Sequence, residues 1–237
     1  MGTSNPNTTV GQDIIAAGQT GFNLANQFLS TPIGHAVEAV GGYKYGVKPL
    51  LEKYLGETKF NDLIWSFVNS AKPDHFNIAR FPLKLQKFIE EKFPRDFFAH
   101  EICRLETSVT QMSDPENTEA LTHEHLQNMT PELLIKSVLH PRKALELHKF
   151  SYQTNQYYQA VMDEKKAVRS KKNSYLAVFR HEDKIWRMDL EKSEFALLEK
   201  IFSGAKVGEA LEKIPASQSQ KISHWFSRWI NNGLLAH

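Results

Sequence analysis

Hydrophobic positions recur at helical spacing throughout the first half of the chain. The clearest stripe has apolar residues at i, i+3, i+4, i+7 and i+8, and it consists of Phe60, Leu63, Ile64, Phe67 and Val68. This spacing is typical of an amphipathic helix that buries one face. Weaker stripes predict further helices over 10–29, after Pro82 and after Pro94. We therefore expect a helical N-terminal extension over 1–43 and a helical domain over 44–113.

The pattern changes in the middle of the chain. Residues 133–139 and 144–151 alternate between apolar and polar side chains, which predicts a β-hairpin turned at His140-Pro141. A polar helix rich in Gln and Tyr is expected over 154–162. Together these elements predict a segment of hairpin and connecting helix over 114–163.

A compact β-rich pattern follows a basic connection. Residues 164–172, EKKAVRSKK, predict a solvated linker, with a polyanion contact as the alternative. The run YLAVF over 175–179 is apolar throughout, which is typical of a fully buried strand, and KIWRMDL over 184–190 predicts its hairpin partner. Amphipathic stretches then predict three helices, and Leu234-Leu235 predicts a terminal strand. The sequence thus predicts an α+β, mostly helical protein that ends in a winged-helix-like domain over 173–237.

Composition indicates an ordinary globular protein. Of the 237 residues, 41% are hydrophobic and 24% are charged, and the formal net charge is only +2. So small a net charge gives little attraction for nucleic acid. The single cysteine, Cys103, excludes a disulfide framework and a thiolate zinc cluster built within the chain. We find no secretory signal and no run of about 18 apolar residues, and therefore expect a cytoplasmic protein without a membrane segment.

Residues that carry catalysis are sparse. The sequence lacks the GxGxxG, GxxxxGK[ST], GxSxG and HExxH motifs, which hold nucleotides, position nucleophiles or bind zinc. The triplet His123-Glu124-His125 has two imidazoles two residues apart, but its polar surroundings favour a solvated turn over a metal site. Cys103 lies on a predicted helix beside apolar residues, which favours a packed thiol over a nucleophile. We therefore expect no catalytic residue, no metal and no cofactor in this chain.

Several stretches of the chain carry a resemblance to a known family. In the N-terminal half they are LLEKYLGETKF, FVNSAKPDHFNIARFPLKLQKFI and RLE at Arg104 to Glu106. In the C-terminal half they are VLHPRKALEL, YLAVFRHEDKIWRMDLEKSEFALLEKIFSGAKVGEAL and the ending WINNGLLAH. These stretches resemble the HvfC/BufC family, whose first domain was long labelled as putatively DNA-binding. The resemblance covers residues 44–237, whereas residues 1–43 depart from the usual opening helix of the family.

The family is similar to MbnC and TglI, which are partner subunits in the biosynthesis of ribosomally made, modified peptides. Those subunits pair with an iron-dependent oxidase of the MbnB/TglH type, which holds the metal and modifies a peptide cysteine. The resemblance therefore implies a non-catalytic adaptor that binds the leader of a precursor peptide and presents it to such an oxidase. It also implies that the C-terminal winged-helix-like domain takes the leader as an added strand.

An added strand needs an open sheet edge, because unpaired backbone N–H and C=O groups hydrogen-bond the incoming peptide. The candidate edge is the predicted strand that consists of Lys184, Ile185, Trp186, Arg187, Met188, Asp189 and Leu190. Trp225 and Trp229 lie four apart on one face of the last predicted helix, where they either line the groove or belong to the core. Trp186 has the same two alternatives, and the strand over 175–181 is the alternative edge.

A DNA-binding regulator is the alternative function. In that interpretation the last helix is a recognition helix, and its candidate base-contacting residues are Gln218, Gln220, Lys221, His224 and Arg228. However, residues 173–237 hold nine Lys and Arg against eight Asp and Glu. Because phosphate contacts dominate affinity for DNA, this balance favours peptide binding over DNA binding.

Overall fold

The computed structural model describes residues 50–70, 81–112, 120–122, 124–125, 129–181, 184–212 and 214–236. The predicted helix over 10–29 and the extension over 1–43 lie outside these ranges. The chain divides into two compact units, of which the first ends at Phe88 and the second begins at Ile89. Within the described ranges, none of the helices has the length and apolar character needed to cross a membrane.

The described part of the first unit is built from helices. Helix α1 spans Leu50–Leu55, α2 spans Glu57–Ser70, and α3, which begins in this unit, spans Phe81–Lys92. Gly56 separates α1 from α2 with a φ of +84°, a backbone conformation that glycine adopts without strain. The predicted apolar stripe is buried at the four positions whose side chains are described, namely Phe60, Leu63, Ile64 and Phe67. The helical prediction for this region is confirmed.

The second unit combines helices with a small antiparallel sheet. Its helices after α3 are α4 (Phe97–Gln111), α5 (Pro131–Lys136), α6 (Thr154–Met162), α7 (Lys192–Phe202), α8 (Val207–Leu211) and α9 (Ser219–Asn231). Its strands are β1 (His140–Pro141), β2 (Leu145–Phe150), β3 (Ser174–His181), β4 (Lys184–Asp189) and β5 (Leu235–Ala236). The predicted α+β, mostly helical class is confirmed for the described residues.

Three strands form the main sheet, in the order β2-β3-β4. The predicted hairpin of β3 and β4 is confirmed, with Phe179 directly opposite Trp186. Strand β2 pairs with β3 over the whole of Leu145–Phe150, so the segments predicted as 114–163 and 173–237 contribute to one sheet. Strands β1 and β5 form a separate two-stranded pair.

Strand β3 is buried on both of its faces. Ala177 and Phe179 pack into a core with residues of α7 and α9. Leu176 and Val178, which point to the other face, pack into a second core with residues of α4 and α6. Helices thus cover both sides of the strand, and this explains why its sequence is continuously apolar instead of alternating. The prediction of a buried strand is confirmed for residues 176–179, whereas Tyr175 is only partly buried.

The hairpin predicted to turn at His140-Pro141 is wrong. Residues 131–136 form α5 because Thr130 accepts a hydrogen bond from Leu133 N at 3.3 Å and a proline follows the cap. His140-Pro141 form β1, which pairs with β5 near the C-terminus. The second predicted strand exists as β2, but its partner is β3.

Glycines follow α7 and α9 in the left-handed conformation. Gly204 has a φ of +88° and Gly233 a φ of +61°. A Cβ added at Gly204 meets nothing within 4 Å, whereas one at Gly233 lies 3.0 Å from His181 Nδ1 and 3.1 Å from Arg142 Nη1. Arg142 Nη1 also donates to Gly233 O at 3.3 Å. Gly233 is therefore required both by its backbone conformation and by its neighbours.

We predict that Gly233→Ala destabilises the second unit more than Gly204→Ala does. The left-handed backbone alone costs an alanine about 1 kcal/mol. At Gly233 the displaced Arg142 also loses its hydrogen bond, which raises the expected loss to about 2 kcal/mol. Urea unfolding followed by tryptophan fluorescence measures both losses. Equal losses in the two variants would contradict the steric argument.

Candidate functional site

Strand β4 forms one edge of the three-stranded sheet. It pairs with β3 on one side, and no described strand pairs with its other side. The alternative interpretation, in which residues 175–181 provide the edge, is wrong because β3 pairs with β2 as well as with β4. The open side of β4 is therefore the candidate binding site.

The phase of the hydrogen-bond ladder decides which backbone groups of β4 point outward. Leu190 N donates to Tyr175 O at 2.9 Å, so these two residues form a hydrogen-bonded pair. In an antiparallel ladder such pairs alternate with pairs whose backbone groups point away from each other. The register continues from this pair along β4 without interruption. The N–H and C=O groups of Ile185, Arg187 and Asp189 therefore point away from β3.

One of these outward groups already has a partner. Arg228 Nη2 on α9 donates to Asp189 O at 3.4 Å. An outward carbonyl at this position agrees with the phase derived from the ladder. Ile185 and Arg187 are thus the positions at which an added strand would gain hydrogen bonds to both N–H and C=O groups.

The opposite edge of the sheet, at β2, is covered where the strand ends. Arg104 on α4 donates to Lys149 O at 2.8 Å. Just beyond the strand, Glu101 accepts hydrogen bonds from Ser151 N at 2.5 Å and from Tyr152 N at 3.2 Å. Side chains of α4 thus occupy backbone groups that an incoming peptide would need. Only the end of β2 is covered in this way, because the outward groups of Leu145 and Leu147 have no hydrogen-bond partner among the described residues.

Helix α6 packs against one face of β4. Arg187 lies over the ring of Tyr158, 3.5 Å from its centroid, and donates to Gln159 Oε1 at 2.8 Å. Asn155 Nδ2 donates to Asp189 Oδ1 at 3.1 Å. Burial raises the pKa of Tyr158, and burial also lowers the pKa of Arg187 against the attraction of Tyr158 and nearby carboxylates. These contacts hold the Arg187 side chain in one position beside the edge.

The other face of β4 changes from exposed to buried along the strand. Lys184 is exposed, Trp186 is 47% exposed, Met188 is half-buried, and Leu190, just after the strand, is 8% exposed. Met188 and Leu190 pack against the core that includes residues of α7 and α9. Trp186 therefore presents its indole at the surface, close in sequence to the outward backbone groups of Ile185 and Arg187.

Trp225 and Trp229 belong to the core. They are 1% and 0% exposed and lie in the same hydrophobic cluster as Phe179 of β3. Trp229 Nε1 donates to Glu194 Oε1 at 2.9 Å. Of the two alternatives that the sequence leaves open, the core placement is the one the structure shows. Because both indoles are buried in the core beneath the sheet, they offer no surface to a ligand.

An ion pair between the buried Glu194 and the partly exposed Arg228 joins α7 to α9 behind the sheet. Glu194 is 0% exposed, and both of its oxygens accept from Arg228 Nη2 at 2.5 Å. It also accepts from Glu191 N at 3.1 Å, at the start of α7. Since Arg228 also reaches Asp189 O, this network ties the end of β4 to the core. Sequence reasoning missed the pair, although an acidic residue inside the apolar stretch EFALL was a signal for it.

One cluster has the residue types of a catalytic triad without its geometry. His148 Nε2 lies 2.9 Å from Ser108 Oγ and 3.3 Å from Glu146 Oε2. A triad uses one ring nitrogen for the nucleophile and the other for the carboxylate, whereas here both neighbours contact Nε2. Ser108 is 0% exposed, and the hydrogen bond with His148 lowers the pKa of Glu146. The cluster connects α4 with β2 and does not indicate hydrolysis.

Cys103 is a packed thiol, as predicted. It is 2% exposed, and burial raises the pKa of the thiol, with the negative charge of Glu106 acting in the same direction. A thiol protonated in this way is a poor nucleophile.

The His123-Glu124-His125 triplet is only partly described, because His123 lies outside the described residues. His125 Nδ1 accepts a hydrogen bond from Thr122 N at 3.2 Å. Across the described ranges, no three His, Cys, Asp or Glu side chains are grouped so as to hold a metal ion.

No family model matches this chain, and no curated protein matches it at a significant level. The resemblance to the HvfC/BufC family therefore stays a prediction from the sequence.

We predict that Glu194→Gln lowers the free energy of unfolding by about 2 kcal/mol, because the change removes charge-assisted hydrogen bonds to a fully buried carboxylate and leaves Arg228, which is 31% exposed, without its counter-charge. The matched control is Lys221→Gln, which removes an exposed ion pair with Glu191 on the same two helices and should cost less than about 1 kcal/mol. Urea unfolding measures both. A loss at Glu194 no larger than that at Lys221 would contradict the assigned role.

Proposed function

We propose that this chain is a non-catalytic partner subunit that binds the leader of a ribosomally synthesised precursor peptide as an added β-strand. The observation that carries the proposal is the open side of β4, where the backbone groups of Ile185 and Arg187 point away from the sheet. The recognition element in this proposal is the winged-helix-like region over 173–237, with β2 as its additional strand. The chain then presents the bound peptide to an iron-dependent oxidase of the MbnB/TglH type.

The sheet behind β4 is suited to receive a strand. Its central strand β3 is packed against helices on both faces and paired on both sides. A template held in this way needs little ordering when the peptide binds, which lowers the entropic cost of association. Main-chain hydrogen bonds would then supply affinity, and side-chain contacts would supply specificity.

The two faces of β4 offer different contacts to the ligand. Alternate side chains of an added strand point to opposite faces of the sheet. On one face they would meet the half-exposed indole of Trp186, and on the other the Arg187 guanidinium that stacks on Tyr158. This difference supports recognition of a particular peptide sequence over general binding to extended chains.

The proposal gives this chain no part in the chemistry. The resemblance assigns the iron and the oxidation of the peptide to the partner subunit. In this chain the thiol of Cys103 and the hydroxyl of Ser108 are buried, and neither is presented to a substrate. We therefore expect the oxidase subunit to provide all residues that contact the reacting atoms.

The DNA-binding alternative would need the basic side chains of α9 for phosphate contacts. Lys221 Nζ lies 2.6 Å from Glu191 Oε2, and Arg228 is bonded to the buried Glu194. Both cations already have carboxylate partners within the chain. Because phosphate contacts dominate affinity for DNA, this pairing supports peptide binding over DNA binding.

We predict that Arg187→Pro abolishes binding of a leader peptide and leaves the fold intact. The N–H at this position points outward, so a proline there removes a donor for the ligand without removing a bond to β3. We expect a neighbouring gene to encode a short, cysteine-containing precursor peptide, and the probe is a synthetic leader of that peptide. Affinity should fall at least about tenfold, as measured by isothermal titration.

The matched control is Met188→Pro, whose N–H points toward β3 and holds the sheet together. This variant should lower the melting temperature by several degrees, whereas Arg187→Pro should change it by less than about 4 °C. Unchanged leader affinity in well-folded Arg187→Pro would place the binding site elsewhere.

We also predict that random duplex DNA does not bind the chain in a salt-dependent manner. A protein that neutralises several phosphates loses about a thousandfold in affinity between about 50 and 200 mM salt. A gel shift across this range separates the two functions, and a steep salt dependence would favour the regulator.

A further inference from the structure

The guanidinium of Arg187 is fixed in place beside the open edge. It stacks on the ring of Tyr158 with 3.5 Å between the guanidinium carbon and the ring centroid, and its Nη2 donates to Gln159 Oε1 at 2.8 Å. Stacking and one hydrogen bond restrict both the plane and the direction of the group. An arginine positioned in advance loses little conformational entropy when it binds a further partner.

This guanidinium has unused hydrogen-bond capacity. Arginine carries five N–H donors in a planar fork that matches a carboxylate. Among the described residues, no carboxylate lies within ion-pair distance of Arg187, and the bond to Gln159 is its one side-chain hydrogen bond. The nearest acids have other partners, since Asp189 accepts from Asn155 and Asp163 pairs with Lys165 at 2.9 Å.

The position of Arg187 in the ladder directs this capacity toward the ligand. Its backbone groups point outward, so an antiparallel added strand would place one residue directly opposite it. The side chain of that residue would point to the same face as Arg187, about 5 Å away between Cβ atoms. The two neighbours of that residue would point to the opposite face, where Trp186 is 47% exposed.

We propose that Arg187 is a specificity-determining residue that selects, in the added strand, an Asp or Glu flanked by apolar residues. This inference rests on the proposed function, because it needs a peptide at the β4 edge. A carboxylate opposite Arg187 forms a charge-assisted, bidentate pair with the free side of the guanidinium, in a site that Tyr158 shields from water. Apolar neighbours cover the indole of Trp186.

The test uses random peptides of about nine residues displayed on phage, which is long enough to span β4. They are selected on the full chain and counter-selected on Ile185→Pro, which removes another outward N–H but keeps the side chain of Arg187, so that only edge-dependent binders are kept. The selected peptides should share one acidic position with apolar residues on either side. Replacing that acid by its amide should weaken binding to the natural chain about tenfold.

Protein variants then locate the acid-binding group. On Arg187→Gln, the acidic and amide peptides should bind with affinities equal within about twofold, because the charge-assisted pair is gone. Arg187→Lys should give an intermediate preference, since lysine keeps the charge but not the planar fork. The matched control, Lys184→Gln, removes a charge of the same sign from the exposed end of the same strand and should keep the full preference.

Each contrary result has a distinct meaning. Edge-dependent peptides without an acidic position would overturn this inference and leave strand addition standing. An acidic preference that persists in Arg187→Gln would also overturn the inference, because another residue would then read the carboxylate. If the selection yields no edge-dependent peptide, both this inference and the proposed function are wrong. The comparison of acidic and amide peptides on the natural chain needs no variant, so it holds even where a substitution impairs folding.

Discussion

The burial of the central residues of β3, 176–179, is the constraint on which the arrangement of the second unit depends. A strand covered by helices on both faces has no water for its N–H and C=O groups, and each unpaired group would cost free energy. This part of β3 must therefore have a strand on either side, and β2 and β4 fill these positions. No further described strand joins the sheet, so both neighbours are edge strands, and each has one side for which the sheet provides no partner.

The two edges are covered at different points. At β2, the guanidinium of Arg104 and the carboxylate of Glu101 take up backbone groups at the end of the strand, so that α4 closes this end. At β4, Arg228 satisfies only the last outward carbonyl, and it is itself anchored by the buried Glu194. The same core that buries β3 therefore holds the end of β4 and leaves its middle accessible. A candidate binding site thus follows from the packing of the fold and not from a conspicuous cluster of polar residues.

The local sequence pattern predicted the helices and strands of this region better than it predicted which elements pair or pack together. The continuous apolar run at 175–179 identified β3 because burial on both faces leaves a mark in the sequence. Alternation at 133–139 was misleading, since a capping threonine and a proline outweigh it and start α5. The pairing of β2 with β3 is a long-range contact that no short window records. Helical spacing placed Trp225 and Trp229 on one face but did not say whether that face is buried, because the answer depends on α7 and its Glu194.

An open edge also exposes a protein to pairing with its own copies, and the composition of β4 opposes this. The strand is only six residues long and carries Lys184 and Arg187, features that limit edge-to-edge association. Two copies paired antiparallel about Arg187 would bring two guanidinium groups to directly opposite positions on one face, where like charges destabilise the pair. A strand with a carboxylate at that position gains from the charge that a second copy would suffer from. Specificity is the difference between the binding free energies of the acidic peptide and of a second copy of the chain. Arg187 increases this difference twice, because its charge favours the peptide and disfavours the second copy. Its fixed position over Tyr158 strengthens both effects.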